Sequence, residues 1–267
     1  MRRVCNFVDS LQGMKTLTFG LTFVRHGETQ FNQEGRLQGQ AIDSALSDVG
    51  LQQAEAAGRY LKDVKFTNVF VSDMLRARQT AEIIMKHNSS CSCVQPVCEP
   101  LLKEKSFGTA EGQLLQELRE MARTAGQSFL DFTPPQGETQ EQVKQRVQEF
   151  WRKMLHQIGC EHWPNRSDDD VSVSTPVAAP HGERETDDVP VHALVVGHGA
   201  YMCVTMRYLV DDLHCSIPQG CTRAHVFSLC PNAGVSRFVL TLNQEKEAFK
   251  VSAIRCLFVN KGDHVKT

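Results

Sequence analysis

Apolar and polar positions along this chain repeat in one order: a short apolar run, a polar or glycine-bearing break, then a stretch with helical spacing. The first run, Leu17–Val24 (LTFGLTFV), predicts a buried strand, and it turns polar abruptly at Arg25-His26-Gly27-Glu28-Thr29. Phe31 to Gly39 is a polar loop punctuated by Gly35 and Gly39. Ser47 is a candidate N-cap for a helix over Leu51–Lys62, whose apolar face is Leu51, Ala54, Ala57, Gly58 and Leu61. Asn68–Val71 predicts a second strand, ending at Ser72-Asp73. Met74, Leu75, Ala77, Ala81, Ile84 and Met85 mark the helix after it. A short strand is expected near Val94–Val97 and a helix over 113–127. A turn at Pro134-Pro135-Gln136-Gly137 precedes a helix over 139–158. Val191–Val196 predicts another buried strand, ending at Gly197-His198-Gly199 before a helix near Ala200. His225–Cys230, Arg237–Leu242 and Phe249–Ile254 alternate as strands that complete the sheet.

The residues with chemistry stand where these strands end, and in open α/β sheets ligands bind at the carboxyl ends of strands. Arg25 is a permanent cation whose planar donor fork suits phosphate. His26 beside it is a neutral nucleophile near neutral pH. Gly27 lets the backbone turn and approach a ligand. Arg76 lies in Ser72-x-x-x-Arg76-Ala77-x-x-Thr80 at a helix start, where free N–H groups and the dipole already favour anions. An arginine there adds a bidentate donor. Glu104, between Lys103 and Lys105, reads alone as solvated charge; its place after a strand and before Gly108 and Glu111-Gly112 favours a pocket. His198 is a second histidine at a second strand end, between two glycines.

Composition narrows the function classes. A chain of 267 residues with formal net charge -2 holds one sizeable core and carries no bulk charge to bind nucleic acid. No apolar run approaches the ~20 residues that span a bilayer, and no secretory signal is visible. Residues 1–14 read as an extension in which Arg2 and Arg3 hint faintly at organelle targeting and Met14 is an alternative start. The ten cysteines, Cys91, Cys93 and Cys98 among them, lack metal-site spacing and read as free thiols. Residues 162–190 are polar, acidic and proline-bearing, a loosely ordered insertion in which Asp168-Asp169-Asp170 is a solvated loop. The main domain is expected over 15–260, with 261–267 as a tail.

Five segments, in order, resemble the histidine phosphatase superfamily, also called phosphoglycerate mutase-like. They are Arg25-His26-Gly27-Glu28-Thr29, Ser72-Asp-x-x-Arg76, Leu102-x-Glu104-Lys-x-x-Gly108, Phe132-Thr-Pro-Pro-x-Gly-Glu-Thr139 and Gly197-His198-Gly199. The resemblance implies an α/β fold, a three-layer α/β/α sandwich with a mostly parallel central sheet. It implies that His26 is phosphorylated in turnover, that Arg25, Arg76 and His198 surround the phosphoryl oxygens, and that Glu104 exchanges the proton. It places Asn32 beside the phosphate, Gln38 and Gly39 at the pocket rim and Gly199 among the substrate contacts, with no metal and no cofactor. Nearby arginines are expected to depress the His26 pKa, and a ring N–H bond to a backbone carbonyl to fix its tautomer. Within the superfamily the motifs are most similar to the fructose-2,6-bisphosphatases tied to control of glycolysis and apoptosis. That implies hydrolysis of fructose 2,6-bisphosphate in the cytoplasm, with a small phosphorylated sugar or glycerate as substrate and no nucleic-acid or integral membrane contact. A phosphoglycerate mutase or broader phosphatase is the alternative. A non-catalytic module on the same fold would have lost His26, Glu104 or an arginine, and all are present. Lys103, Lys105, Arg36 and Arg223 are candidates for a second phosphate by charge alone.

Overall fold

A computed structural model describes residues 15–127, 132–164, 189–246 and 248–265. The expected extension at 1–14 and most of the 162–190 segment, including Asp168-Asp169-Asp170, lie outside the described residues. The elements in order are β1 (Thr16–Arg25), α1 (Gln30–Gln33), α2 (Asp48–Tyr60), β2 (Asn68–Val71), α3 (Leu75–His87), β3 (Val97–Cys98), α4 (Leu115–Thr124), α5 (Gln140–His162), β4 (His192–Gly197), α6 (Gly199–Arg207), α7 (Arg223–Val226), β5 (Val235–Glu245) and β6 (Ala248–Lys261). None of the described helices is long and apolar enough to cross a membrane.

The strands form one sheet in the order β3-β2-β4-β1-β5-β6. The pairs β1·β4, β2·β4 and β2·β3 are parallel, and β1·β5 and β5·β6 are antiparallel. Period-two alternation sends Leu17, Phe19, Leu21 and Phe23 of β1 to one face, where Phe150, Trp151, Met154 and Ile158 of α5 and Tyr201 and Met202 of α6 cover them. Val24, Val69, Val71, Leu194 and Val196 meet Ala57 of α2 and Ala77, Ala81 and Ile84 of α3, with Leu61 just past α2, on the other face. This is a three-layer α/β/α sandwich. A parallel strand with both faces covered is apolar throughout, which is why β2 and β4 read as unbroken runs.

Local chemistry sets the helix starts. The Ser47 hydroxyl accepts from Gly50 N at 3.0 Å and caps α2. Thr139 and Gln142 cap α5 reciprocally, through Thr139 Oγ1 to Gln142 N at 3.1 Å and Thr139 N to Gln142 Oε1 at 2.8 Å. Leu51, expected on the buried face of α2, is 37% exposed. Its neighbour Gly50 lies against the Glu28 backbone, and the next residue on a helix points roughly 100° away, toward solvent.

Two other expectations change. The short strand is two residues long and sits at Val97–Cys98. His225–Cys230, expected as a strand, is a helical turn and loop. The Thr222 hydroxyl accepts from His225 N at 3.2 Å and starts α7, while the Asn260 amide donates to His225 O and Ser228 O at 3.1 Å each. The carbonyls that a neighbouring strand would satisfy are thus taken by a side chain, and Leu229 stands 57% exposed.

Candidate active site

Register brings the two histidines together. Parallel pairing of β1 with β4 sets Arg25 opposite Gly197, so His26 and His198 leave adjacent strands side by side. His26 N donates to Gly197 O at 3.0 Å, and Ser72 N, just past β2, donates to Val196 O at 3.0 Å. Three neighbouring strands therefore end level, carrying His26, His198 and Ser72.

The two imidazoles lie 5.2 Å apart between ring centroids, tilted by 56°, and both are buried. His26 Nδ1 lies 2.7 Å from Gly27 O, so this nitrogen carries the proton and donates. The free ring lone pair is then on Nε2. Burial, and after it the charges of Arg76 and Arg25, hold the His26 pKa well below the usual imidazole value. Burial, Arg76, His26, Arg25 and Arg146 do the same to His198. Both rings are neutral at physiological pH. The expectation named the arginines; loss of water contributes more.

Both arginines are buried with their forks pinned on one side. Arg25 Nη1 donates to Cys230 O at 2.7 Å, and Arg76 donates through Nη1 to Ile42 O at 3.2 Å and through Nη2 to Gly39 O at 3.3 Å. Burial lowers the Arg76 pKa to about 10, so it stays charged. Arg25 Nε, Arg76 Nε and His198 Nδ1 are buried without a hydrogen-bond partner among the described residues. Unpaired buried polar groups are costly, and two arginine N–H donors and a ring nitrogen beside a neutral imidazole suit the oxygens of a phosphoryl group.

Glu104, in the loop after β3, closes the group against the N-terminus of α6. Its carboxylate accepts from Lys105 N at 2.7 Å, Tyr201 N at 2.8 Å and Ala200 N at 3.0 Å. It lies close enough to Arg25 and Arg76 to oppose the lowering of both their pKa values. Gly199 opens α6, and a Cβ there would meet Arg25 Nε at 3.2 Å and Leu229 Cδ1 at 2.6 Å, so a side chain at this position would press on both.

A model of the histidine phosphatase superfamily (branch 1) matches residues 21–163. The chain belongs to this superfamily. It is 52% identical over 254 residues to the Danio rerio protein named "Probable fructose-2,6-bisphosphatase TIGAR A", covering 94% of this chain and 99% of that one. It is 38% identical over 263 residues to "Fructose-2,6-bisphosphatase TIGAR" of Xenopus tropicalis, covering 92% and 94%. A crystal structure of phosphoglycerate mutase from Bacillus anthracis str. Sterne shares the fold, with TM-score 0.65, 22% identity and 94% and 96% coverage.

In this histidine phosphatase the other expected residues hold the loop over the site. Asn32 Oδ1 accepts from Thr29 N at 3.2 Å and from Asn232 Nδ2 at 3.1 Å. Gln38 is buried, accepting from Thr29 Oγ1 at 2.8 Å and donating to Ser44 Oγ at 2.6 Å. The Gly39 carbonyl is the acceptor for Arg76. The four cations singled out by charge are engaged: Lys103 with Asp73 at 3.4 Å, Lys105 with Phe132 O at 3.4 Å, Arg36 with Glu34 at 2.9 Å, and Arg223 with Asp211.

The sequence assigns no role to several supporting groups of the histidine phosphatase site, Thr80 of the Ser72–Thr80 pattern among them. Thr80 Oγ1 accepts from Gly27 N at 3.0 Å and donates to Arg76 O at 2.8 Å, joining the segments that carry His26 and Arg76. Asn232 Nδ2 donates to His26 O at 3.3 Å. Arg146 of α5 grips the segment bearing Glu104. Its Nη1 donates to Leu101 O at 2.7 Å and Lys103 O at 3.0 Å, and its Nε and Nη2 pair with Glu138 at 2.8 Å each. Glu138 in turn accepts from Ser106 N at 2.8 Å and Gln40 Nε2 at 2.9 Å. The Gly137-Glu138-Thr139 motif pointed to this region; the arginine about two helical turns further on did not stand out.

Proposed function

We propose that the chain hydrolyses fructose 2,6-bisphosphate to fructose 6-phosphate and inorganic phosphate through a phosphohistidine at His26. The observation that carries the reading is the pair of buried, neutral histidines between two buried arginines, with Arg25 Nε, Arg76 Nε and His198 Nδ1 lacking partners among the described residues. Two buried cations side by side are costly without an anion between them, and a phosphate dianion supplies it. The bisphosphatase names of relatives that match nearly end to end support the sugar substrate.

In the first step His26 Nε2 attacks phosphorus in line and the bond from phosphorus to the sugar oxygen breaks. Glu104, which enters the step protonated with the substrate bound, gives that proton to the departing oxygen, since an alcohol leaves far more readily than an alkoxide. Arg25, Arg76 and His198 hold the equatorial oxygens as charge moves onto them, so positioning and charge stabilisation do most of the catalysis. In the second step water attacks phosphorus, Glu104 takes the water proton, and the nitrogen–phosphorus bond breaks to return free His26.

Residues 15–260 act as the catalytic domain, with 1–14, about 162–190 and 261–267 as accessory segments. Asn32, Gln38, Gly39 and Gly199 frame the substrate, and the site uses neither metal nor cofactor. In the cytoplasm, removal of fructose 2,6-bisphosphate slows glycolysis and so bears on apoptosis. The test is a phosphate-release screen over sugar and glycerate phosphates and bisphosphates, with His26→Ala as control. Fructose 2,6-bisphosphate should show the highest kcat/KM, and Glu104→Gln should lose most activity on substrates with poor leaving groups. Preferred turnover of a glycerate phosphate, or isomerised phosphoglycerate as product, would overturn the substrate assignment. Full activity of Glu104→Gln would remove the proton-donor role.

A further inference from the structure

We propose that Ser72 fixes the tautomer of His198: the Ser72 hydroxyl donates to Nε2, so the ring carries its proton on Nδ1 and presents an N–H donor to the phosphoryl oxygens. Ser72 is then a positioning residue that acts through His198, and the inference rests on the phosphoryl-transfer reading of the pocket.

Proton counting supports the direction. Ser72 is fully buried just past β2, and its Oγ lies 2.8 Å from His198 Nε2. A hydroxyl has one proton and two lone pairs. Met74 N, at 3.3 Å, already donates to one lone pair. Among the described residues, His198 Nε2 is the acceptor within reach of the hydroxyl proton. If Nε2 carried the proton and donated instead, the serine proton would have no acceptor and Nδ1 would keep a buried lone pair without a donor. That arrangement buries two unsatisfied groups where the other buries one.

The remaining group is the useful one. His198 Nδ1 is buried and unpartnered, on a ring that faces His26 across 5.2 Å. A phosphoryl oxygen there attracts an N–H and repels a lone pair. A doubly protonated ring is opposed by burial and by Arg76 and Arg25, which face the same space. His26 is set from the same β2–α3 unit by a parallel route. Thr80 accepts from Gly27 N, and the Gly27 carbonyl accepts the His26 Nδ1 proton.

The test reads the tautomer directly. Protein labelled with 15N in its histidines, free of substrate at neutral pH, is examined by long-range proton–nitrogen correlation, and His198→Gln assigns the ring. The expected spectrum has His198 neutral, with Nδ1 protonated and Nε2 bare. In Ser72→Ala the preference for Nδ1–H should be lost, and kcat for p-nitrophenyl phosphate should fall about 100-fold, the low end of losing one oxyanion donor. Ser72→Thr, which keeps the hydroxyl, should restore both. A wild-type ring protonated at Nε2, or an imidazolium, overturns the proposal even if Ser72→Ala fails to fold. So does a folded Ser72→Ala that keeps both Nδ1–H and wild-type kcat. An Nδ1–H ring in a protein that forms no phosphohistidine would sustain the tautomer assignment and reject the catalytic reading.

Discussion

Removing the Arg146 guanidinium should cost more than a surface charge does, because of what it leaves behind. Arg146 and Glu138 form a two-pronged pair at 2.8 Å per prong, with side chains only 18% and 19% exposed. Arg146→Met would strand the Glu138 carboxylate and free Leu101 O and Lys103 O. Breaking a buried pair by deleting one partner costs about 3–5 kcal/mol, and the residual exposure here favours the low end. We expect a loss of about 3 kcal/mol, which for a domain of this size is roughly 6–12 °C in Tm. Glu138→Gln removes the other charge, and the double variant should recover ~1–2 kcal/mol of the summed losses, as contacting residues do. The assay is denaturant unfolding of the four proteins of the cycle, with kcat for phosphate release measured alongside. Since Arg146 grips the segment carrying Glu104, kcat should fall in Arg146→Met while KM changes little. Additive losses within about 0.5 kcal/mol, or an unchanged kcat, would show that the segment is held by other contacts.

Two other perturbations follow from packing and burial. His26, His192 and His198 have pKa values lowered by burial, that of His192 to about 3. The unfolded chain, titrating near 6.5, binds more protons below that pH. Stability is therefore full above about pH 6.5 and falls toward acid by ~1.4 kcal/mol per unit for each ring. His192→Asn should flatten the decline between about pH 6 and 4 by that amount per unit; a variant-to-wild-type difference constant with pH would refute it. Gly50→Ala would place a Cβ 2.0 Å from the Glu28 backbone oxygen, beside the turn that carries His26. It should lose about 1–3 kcal/mol and most phosphatase activity, and a wild-type denaturation midpoint would contradict the contact.

What the sequence reveals here depends on which atoms do the work. β1, β2 and β4 are buried on both faces, so each appears as an apolar run, and the polar residues at their ends stand out against it. Arg25, His26, Arg76, Glu104 and His198 are legible for that reason. The register that seats His26 beside His198 is not, because it is set by backbone pairing across the long chain separation between β1 and β4. Nor are the acceptors that orient both arginines, since Cys230 O, Ile42 O and Gly39 O are main-chain atoms. The His225–Cys230 run misleads because its apolar residues also suit a short strand, while Thr222 and Asn260 satisfy its backbone as a turn. Gln38 stands out by motif, while the bonds of its amide to Thr29 and Ser44, which fix the loop it sits in, are not legible in the sequence.

The central claim is that the His26 ring itself carries phosphorus during turnover. Enzyme mixed with fructose 2,6-bisphosphate labelled in the 2-phosphate, quenched in base within one turnover and digested, should yield an acid-labile label on the peptide containing residue 26, absent from His26→Ala. Phosphate released in a full burst with no label at that position would mean that water attacks the substrate directly, and the account would be wrong.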